Sequence, residues 1–252
     1  MKKETLIGVI VIAGIALFVI GGTVLRKISA RAQEAERIAD ISNSKDHQTI
    51  DDLKKTIAAY EKQLERFVKA SEKSGTYWKI LATRLQDKNQ HGEALEALQN
   101  AIQYNPEDTA LFYMTGVSAA IMAKSELDFP GAAASEKRRE DYYRLAEQGY
   151  LRSIELNGGY DKPLYGIGVL YVFELDRPSD AIPYLQRYIE LNSRNPEGAA
   201  DAMFVQARAY YSIGEYRRAI EQYDGILSAS KNKNKLERAA ELKQQTLWAM
   251  NG

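Results

Sequence analysis

The side chains that could do chemistry are few. His47 and His91 are the whole imidazole supply, and the chain has no cysteine. A metal site of the usual kind needs His, Cys or carboxylate ligands within reach of one another, and neither histidine has a second His at metal-ligand spacing. His47 falls at a helix start and His91 in Asn89-Gln90-His91-Gly92, a turn between two helices. Both read as surface residues. Gly166-Ile167-Gly168 begins like a dinucleotide loop, but such a loop needs a third glycine and a preceding strand, and both are missing. Asp51-Asp52 and Glu140-Asp141 place paired carboxylates at helix starts, where they complement the helix dipole rather than exchange a proton. No phosphate loop, Ser/His/Asp arrangement or zinc-protease helix occurs. The expectation is a protein without catalytic, cofactor-binding or metal-binding residues, and therefore not an enzyme.

What remains is a large apolar and aromatic supply. The 252 residues carry 34 Lys+Arg against 34 Asp+Glu, with 45% hydrophobic and 27% charged. That composition excludes disorder as the dominant state and leaves room for one large domain or an array of small units. Zero net charge argues against a nucleic-acid binder.

Leu6 to Leu25 is an uncharged apolar run, about 30 Å long as a helix and so matched to a bilayer core. It predicts a single N-terminal transmembrane helix, with residues 1–27 as the anchor. A cleaved signal peptide would explain Lys2, Lys3 and Ala30-Arg31-Ala32. The run is longer than the usual ~7–15-residue signal core, however, and Arg26 and Lys27 interrupt the approach to the cleavage site. Lys2 and Lys3 before the span nearly balance Arg26, Lys27 and Arg31 after it. A short basic N-terminus favours an N-in signal anchor, so the soluble domain is expected outside the cytoplasm, on the periplasmic side if the cell is bacterial. The lack of cysteine suits such a compartment.

Residues 28–46 read as a helical stalk or linker. In residues 47–75, Ile50, Leu53, Ile57, Tyr60, Leu64 and Phe67 alternate at spacings of three and four, with Thr49 and Asp52 placed as a capping box and Ser74-Gly75 as a stop. This narrow stripe suits either a helix docked on the next layer or a coiled-coil seam joining two copies.

Beyond it no strand is convincing, and the chain repeats itself. Ala101-Ile102-Gln103-Tyr104-Asn105-Pro106, Ser153-Ile154-Glu155-Leu156-Asn157-Gly158 and Tyr188-Ile189-Glu190-Leu191-Asn192-Ser193 are versions of one helix ending. Ala94, Ala146, Ala181 and Ala219 recur at intervals of 52, 35 and 38 residues, a period of about 34 once loop insertions are allowed. Stepping back one period from Ala94 reaches Tyr60, which favours the 47–75 helix as a degenerate half-repeat packed on the first unit.

On these residues the chain resembles the tetratricopeptide repeat family. The first unit carries Trp78, Leu81, Leu85, Ala94, Leu98, Ala101 and Pro106, and the fourth Ala207, Tyr210, Gly214, Tyr216, Ala219, Tyr223 and Ile226. The second has Phe112, Gly116, Ala119, Ala146, Tyr150 and Ser153, and the third Gly168, Tyr171, Ala181, Leu185 and Tyr188. The resemblance implies an all-α solenoid of helix-turn-helix units over residues 76–228, with an insert at about 125–141 and a capping helix in 229–252. The insert holds Phe129-Pro130-Gly131 and is expected to lengthen both helices of the second pair; Trp78 should plug the first layer, and Leu236, Ala239, Leu242, Leu247 and Trp248 should cover the last.

The resemblance also implies a membrane-anchored scaffold that binds a protein or peptide partner in a concave groove lined by the first helix of each pair, supporting assembly or organisation of a membrane or envelope complex. The alternative is a structural protein dimerising through the 48–73 helix. Facing outward from the packed residues at helical steps are Lys79 in the first unit, Tyr113 and Val117 in the second, Lys162, Tyr165, Val169 and Val172 in the third, and Phe204, Arg208 and Tyr211 in the fourth. Relatives that clamp a carboxylate need Asn where Thr83 and Met114 stand, so that chemistry is not expected. The groove should be apolar and aromatic, rimmed by Lys162 and Arg208.

Overall fold

Helices can approach closely only where a side chain is small, and the four recurring alanines mark such points. Ala94, Ala146, Ala181 and Ala219 have no exposed surface. The computed structural model describes residues 50–126 and 133–251, in which every regular element is a helix: α1 (Ile50–Asp87), α2 (His91–Tyr104), α3 (Thr109–Ser125), α4 (Ala133–Leu156), α5 (Lys162–Phe173), α6 (Pro178–Leu191), α7 (Pro196–Ser212), α8 (Tyr216–Ala229) and α9 (Lys233–Asn251). The 6–25 run, the 28–46 stalk, His47, Thr49 and Phe129-Pro130-Gly131 lie outside the described residues. Among the described residues no helix is long and apolar enough to cross a membrane.

The chain divides into two units, Met1–Ala70 and Ser71–Gly252, with α1 spanning the division. In the first, the stripe side chains Leu53, Ile57, Tyr60, Leu64 and Phe67 keep between 44% and 66% of their surface exposed.

The second unit is an all-α helix-turn-helix solenoid. From α2 onward each helix packs on the next, and first helices also meet across layers, α3 with α5 and α5 with α7. The turns inside three of the pairs share one device. Asn89, Asp176 and Gly214 adopt positive φ of 58°, 50° and 78°, and the following amide closes the helix: Gln90 N–H donates to Leu85 at 2.8 Å and Glu215 N–H to Tyr210 at 2.9 Å. Helix starts are capped in turn. Asp108 accepts from the Ala110 amide, Asn195 accepts from the Gly198 amide, and Pro163, Pro178 and Pro196 occupy first-turn positions where no amide is needed.

The α3–α4 seam brings the main chains of two helices close together. A Cβ on Gly149 would lie 2.8 Å from the Gly116 nitrogen and 2.8 Å from the Phe112 carbonyl oxygen, and a Cβ on Gly116 would lie 2.6 Å from the Tyr150 ring. Leu98, Leu111, Ile167, Leu170, Leu185 and Ile226 fill the layers and are fully buried, each contributing about 1.5–3 kcal/mol by leaving water.

Several expectations need correction. Ser74-Gly75 does not stop the helix, which runs to Asp87; Gly75 is buried against Asn105, and its added Cβ would lie 2.7 Å from Tyr104 Cβ, so its smallness serves the end of α2. His91 is buried, with Nδ1 3.3 Å from Ser118 Oγ, because α3 closes over the turn that the sequence left looking open. Of the helices flanking the insert only α4 is lengthened, to 24 residues against 14 in α2, α6 and α8; α3 has 17, as does α7. On α9, Ala239 is buried against the last pair, but Trp248 points outward with 67% of its surface exposed.

Candidate functional site

The first helices of the pairs place their outward-facing residues in three zones with different chemistry. In the first unit that face is engaged internally. Lys79 Nζ donates to Asp108 at 2.6 Å, and Asp108 is also the N-cap of α3. Gln86 Nε2 donates to the Met114 carbonyl at 2.9 Å and to Ser118 Oγ at 2.7 Å. The polar groups that the register presents here hold the next layer in place.

The middle zone is a nest of tyrosines over α3, α4 and α5. Tyr113 stacks edge-on against Tyr160, with centroids 5.6 Å apart, and tilts against Tyr150 at 6.2 Å. Lys162 Nζ lies 6.0 Å from the centre of the Tyr113 ring. A pocket of about 230 Å³ opens among Tyr113, Tyr150, Lys162, Tyr165 and Val169. Val117, Val169 and Val172 are half-buried and pack against the central core. Burial pushes the Tyr113 hydroxyl up, and the neighbouring Asp161 carboxylate adds to it; burial does the same at Tyr150. Both phenols are protonated at neutral pH.

The C-terminal zone is a cleft of about 500 Å³, walled by Tyr165 of α5, Phe204, Arg208 and Tyr211 of α7, Tyr223 of α8, and Arg238 of α9. Tyr165 also meets Tyr188 at 5.3 Å, and Phe204 meets Tyr223 at 6.4 Å. Arg208 lies 5.9 Å from the Tyr211 ring centre and Arg238 5.0 Å from that of Phe204, within reach of cation–π attraction. Asp201, the acidic residue of the lining, is taken by Lys235 at 2.8 Å.

Of the ten outward residues read from the sequence, Tyr113, Lys162, Tyr165 and Val169 border the middle pocket, and Tyr165, Phe204, Arg208 and Tyr211 border the C-terminal cleft. Lys79, Val117 and Val172 border neither. Tyr160, Tyr223 and Arg238 were not anticipated. Arg238, Leu242 and Gln245 follow one another at steps of four and three on α9 and line the cleft together; that spacing was the available signal for a second working face on the capping helix. Among the described residues no group of three or more His, Asp or Glu side chains could hold a metal ion.

A family model described as tetratricopeptide repeat matches residues 81–127 and 169–235. A TPR repeat-containing protein of Borreliella burgdorferi is 24% identical over 188 residues, 75% of this chain and 77% of that protein. Among solved structures, the crystal structure of MamA protein aligns with a TM-score of 0.54 and 19% identity, covering 71% of this chain and 85% of that chain. MamA from Desulfovibrio magneticus aligns with a TM-score of 0.52 and 14% identity, covering 71% and 95%. At these identities the structural likeness is one of fold.

Proposed function

Because the chain carries tetratricopeptide repeats, we propose that it is a scaffold rather than an enzyme, holding a protein or peptide partner along the first-helix face of its second to fourth units. The observation that carries this reading is the lining of that face. Tyr113, Tyr165, Phe204 and Tyr211 are half-buried, packed firmly enough to be rigid and open enough to be touched. Rigid aromatics of this kind supply contact area at little entropic cost and dominate many interfaces. Residues 6–25 would anchor the scaffold in a membrane, with the repeats outside the cytoplasm, so that the captured partner belongs to a membrane or envelope complex under assembly.

The test is crosslinking of the full chain in its native membrane, followed by titration of the captured partner. Tyr165→Ala and Phe204→Ala should each weaken capture by about 1–3 kcal/mol with helicity and melting unchanged. Normal binding by both variants, or unfolding of both, would refute the groove. The anchor is tested separately by alkaline carbonate washing, which should leave the protein in the pellet; release of the whole pool, or an N-terminus after Ala32, would identify a cleaved signal.

A second reading rests on the exposed stripe from Leu53 to Phe67, whose three-and-four spacing suits a two-stranded coiled coil. Self-association through it would place two grooves in one assembly. Light scattering of the full chain in detergent, with and without Ile57→Asp and Leu64→Asp, separates the readings, since a monomer in both preparations removes the dimer.

A further inference from the structure

The C-terminal cleft combines an aromatic floor with two cations that the fold leaves unspent. Several arginines elsewhere on the second unit are matched: Arg138 holds Glu126, Arg152 holds Glu155, and Arg177 holds both Glu147 and Asp180. Arg208 and Arg238 enter no ion pair among the described residues. Both nevertheless act on the same place. Burial pushes the Tyr223 hydroxyl up, while Thr246 and the fields of Arg208 and Arg238 oppose that rise, and both arginines line the same cleft as this phenol. The lining's acidic residue, Asp201, is neutralised by Lys235, which also lies 3.5 Å from Glu197 and donates to the Glu197 carbonyl at 2.6 Å. The cleft therefore keeps a net positive field beside apolar rings.

The ring contacts also orient these cations. A guanidinium lying over an aromatic face turns its apolar plane to the ring and leaves its edge N–H groups free, the geometry that accepts a carboxylate in two parallel hydrogen bonds. Arg238 Cζ lies 5.0 Å from the Phe204 ring centre and Arg208 Cζ 5.9 Å from that of Tyr211, reaching the cleft from two helices, α9 and α7. We propose that the cleft between α7 and α9 selects an acidic peptide segment, seating an Asp or Glu side chain between Arg208 and Arg238 and a neighbouring aromatic or large aliphatic side chain on Phe204, Tyr165 and Leu242. The helix α9 is then one wall of the binding site. The assignment rests on the groove reading above and narrows it to one partner chemistry.

The experiment uses an array of random twelve-residue peptides probed with the full chain in detergent, beside Arg208→Gln, Arg238→Gln, the double variant, and Tyr165→Ala with Phe204→Ala. Wild type should enrich peptides in which Asp or Glu adjoins an aromatic or aliphatic residue. Each Arg→Gln change should weaken the best of these by about tenfold, the size of one lost charge-assisted contact. Replacing the peptide's acid by its amide should cost wild type a similar factor and the double variant nothing. Arg→Lys at both positions, which keeps the charge but not the fork, should recover only part of the affinity. Enrichment without acidic residues, or acidic enrichment that survives in the double variant, overturns this proposal and leaves the groove reading standing if binding still depends on Tyr165 and Phe204. Peptide binding that ignores all four positions, or no binding above the aromatic double variant, overturns both.

Discussion

Two glycines allow the packing to be tested with the same chemical change. Gly149 lies within α4 and Gly225 within α8, so alanine at either gains about 1 kcal/mol of helix propensity. Their surroundings differ. A Cβ at 225 would meet only the Sδ and Cε atoms of Met203, at 3.3 and 3.5 Å, the flexible end of a side chain that can turn away. Gly225→Ala should therefore stabilise by about 0.5–1 kcal/mol. At 149 the new carbon would sit 2.8 Å from two main-chain atoms of α3, roughly 0.7 Å inside ordinary contact. Backbone cannot rotate away, so α3 and α4 must part along their length. Overpacking of this kind costs about 1–3 kcal/mol, which offsets or exceeds the propensity gain; Gly149→Ala should destabilise by up to about 2 kcal/mol, leaving the two variants roughly 1–3 kcal/mol apart. Urea unfolding followed by circular dichroism reads the difference, and hydrogen exchange should place the loss in α3 and α4, since neighbours alone couple in a solenoid. Equal stability of the two variants would refute the close α3–α4 approach. The seam also carries Tyr113 and Tyr150, so partner capture should fall with Gly149→Ala and not with Gly225→Ala.

Trp78→Ala should loosen the first pair by about 2–4 kcal/mol, less than for a fully buried indole because Trp78 is only half-buried against Ala82, Leu98 and Leu111. Exchange should rise in α2 and the C-terminal part of α1 while α8 stays protected; a uniform rise would contradict that. Burial holds the His91 imidazole below its usual range, so the unfolded chain binds its proton first, and stability should fall as pH drops from about 6.5 towards the lower folded value; unchanged acid sensitivity in His91→Gln would count against this. Glu197 is held below the usual carboxylate range by the Lys231 amide first, then by Ser230 and Lys235, against the effect of burial. Its contribution is present above about pH 4.3 and lost as pH falls through the lower folded value; α9 amides should exchange faster across that window, and Glu197→Gln should remove the dependence.

The repeat was legible because a close helix contact admits few residues. Ala94, Ala146, Ala181 and Ala219 could be located by spacing alone, and each is fully buried. Gly116 was legible for the same reason, since the Tyr150 ring lies against it. Positions whose surroundings come from another layer were less so. His91 stands at a helix start, and nothing local says that Ser118 will arrive from α3 to cover it. Gly75 has the residue type of a stop signal, but a glycine placed for packing and one placed for a turn are indistinguishable until the neighbouring helix is known. The stripe in α1 keeps the periodicity of a buried face, and periodicity alone does not supply the partner that would bury it.

The outward face divides along the same line. Register named Tyr165, Phe204 and Arg208 because every unit aims its first helix alike, so one unit indexes the next. It named Lys79 by the same rule, although that lysine is drawn to the α3 cap. Arg238 lies beyond the rule altogether, since α9 has no counterpart in the repeat. That helix carries side chains the repeat register does not dictate. The cleft with its two unspent guanidiniums forms where α7 and α8 meet this helix, which makes that junction a place where one stack of common repeats can acquire a partner preference of its own.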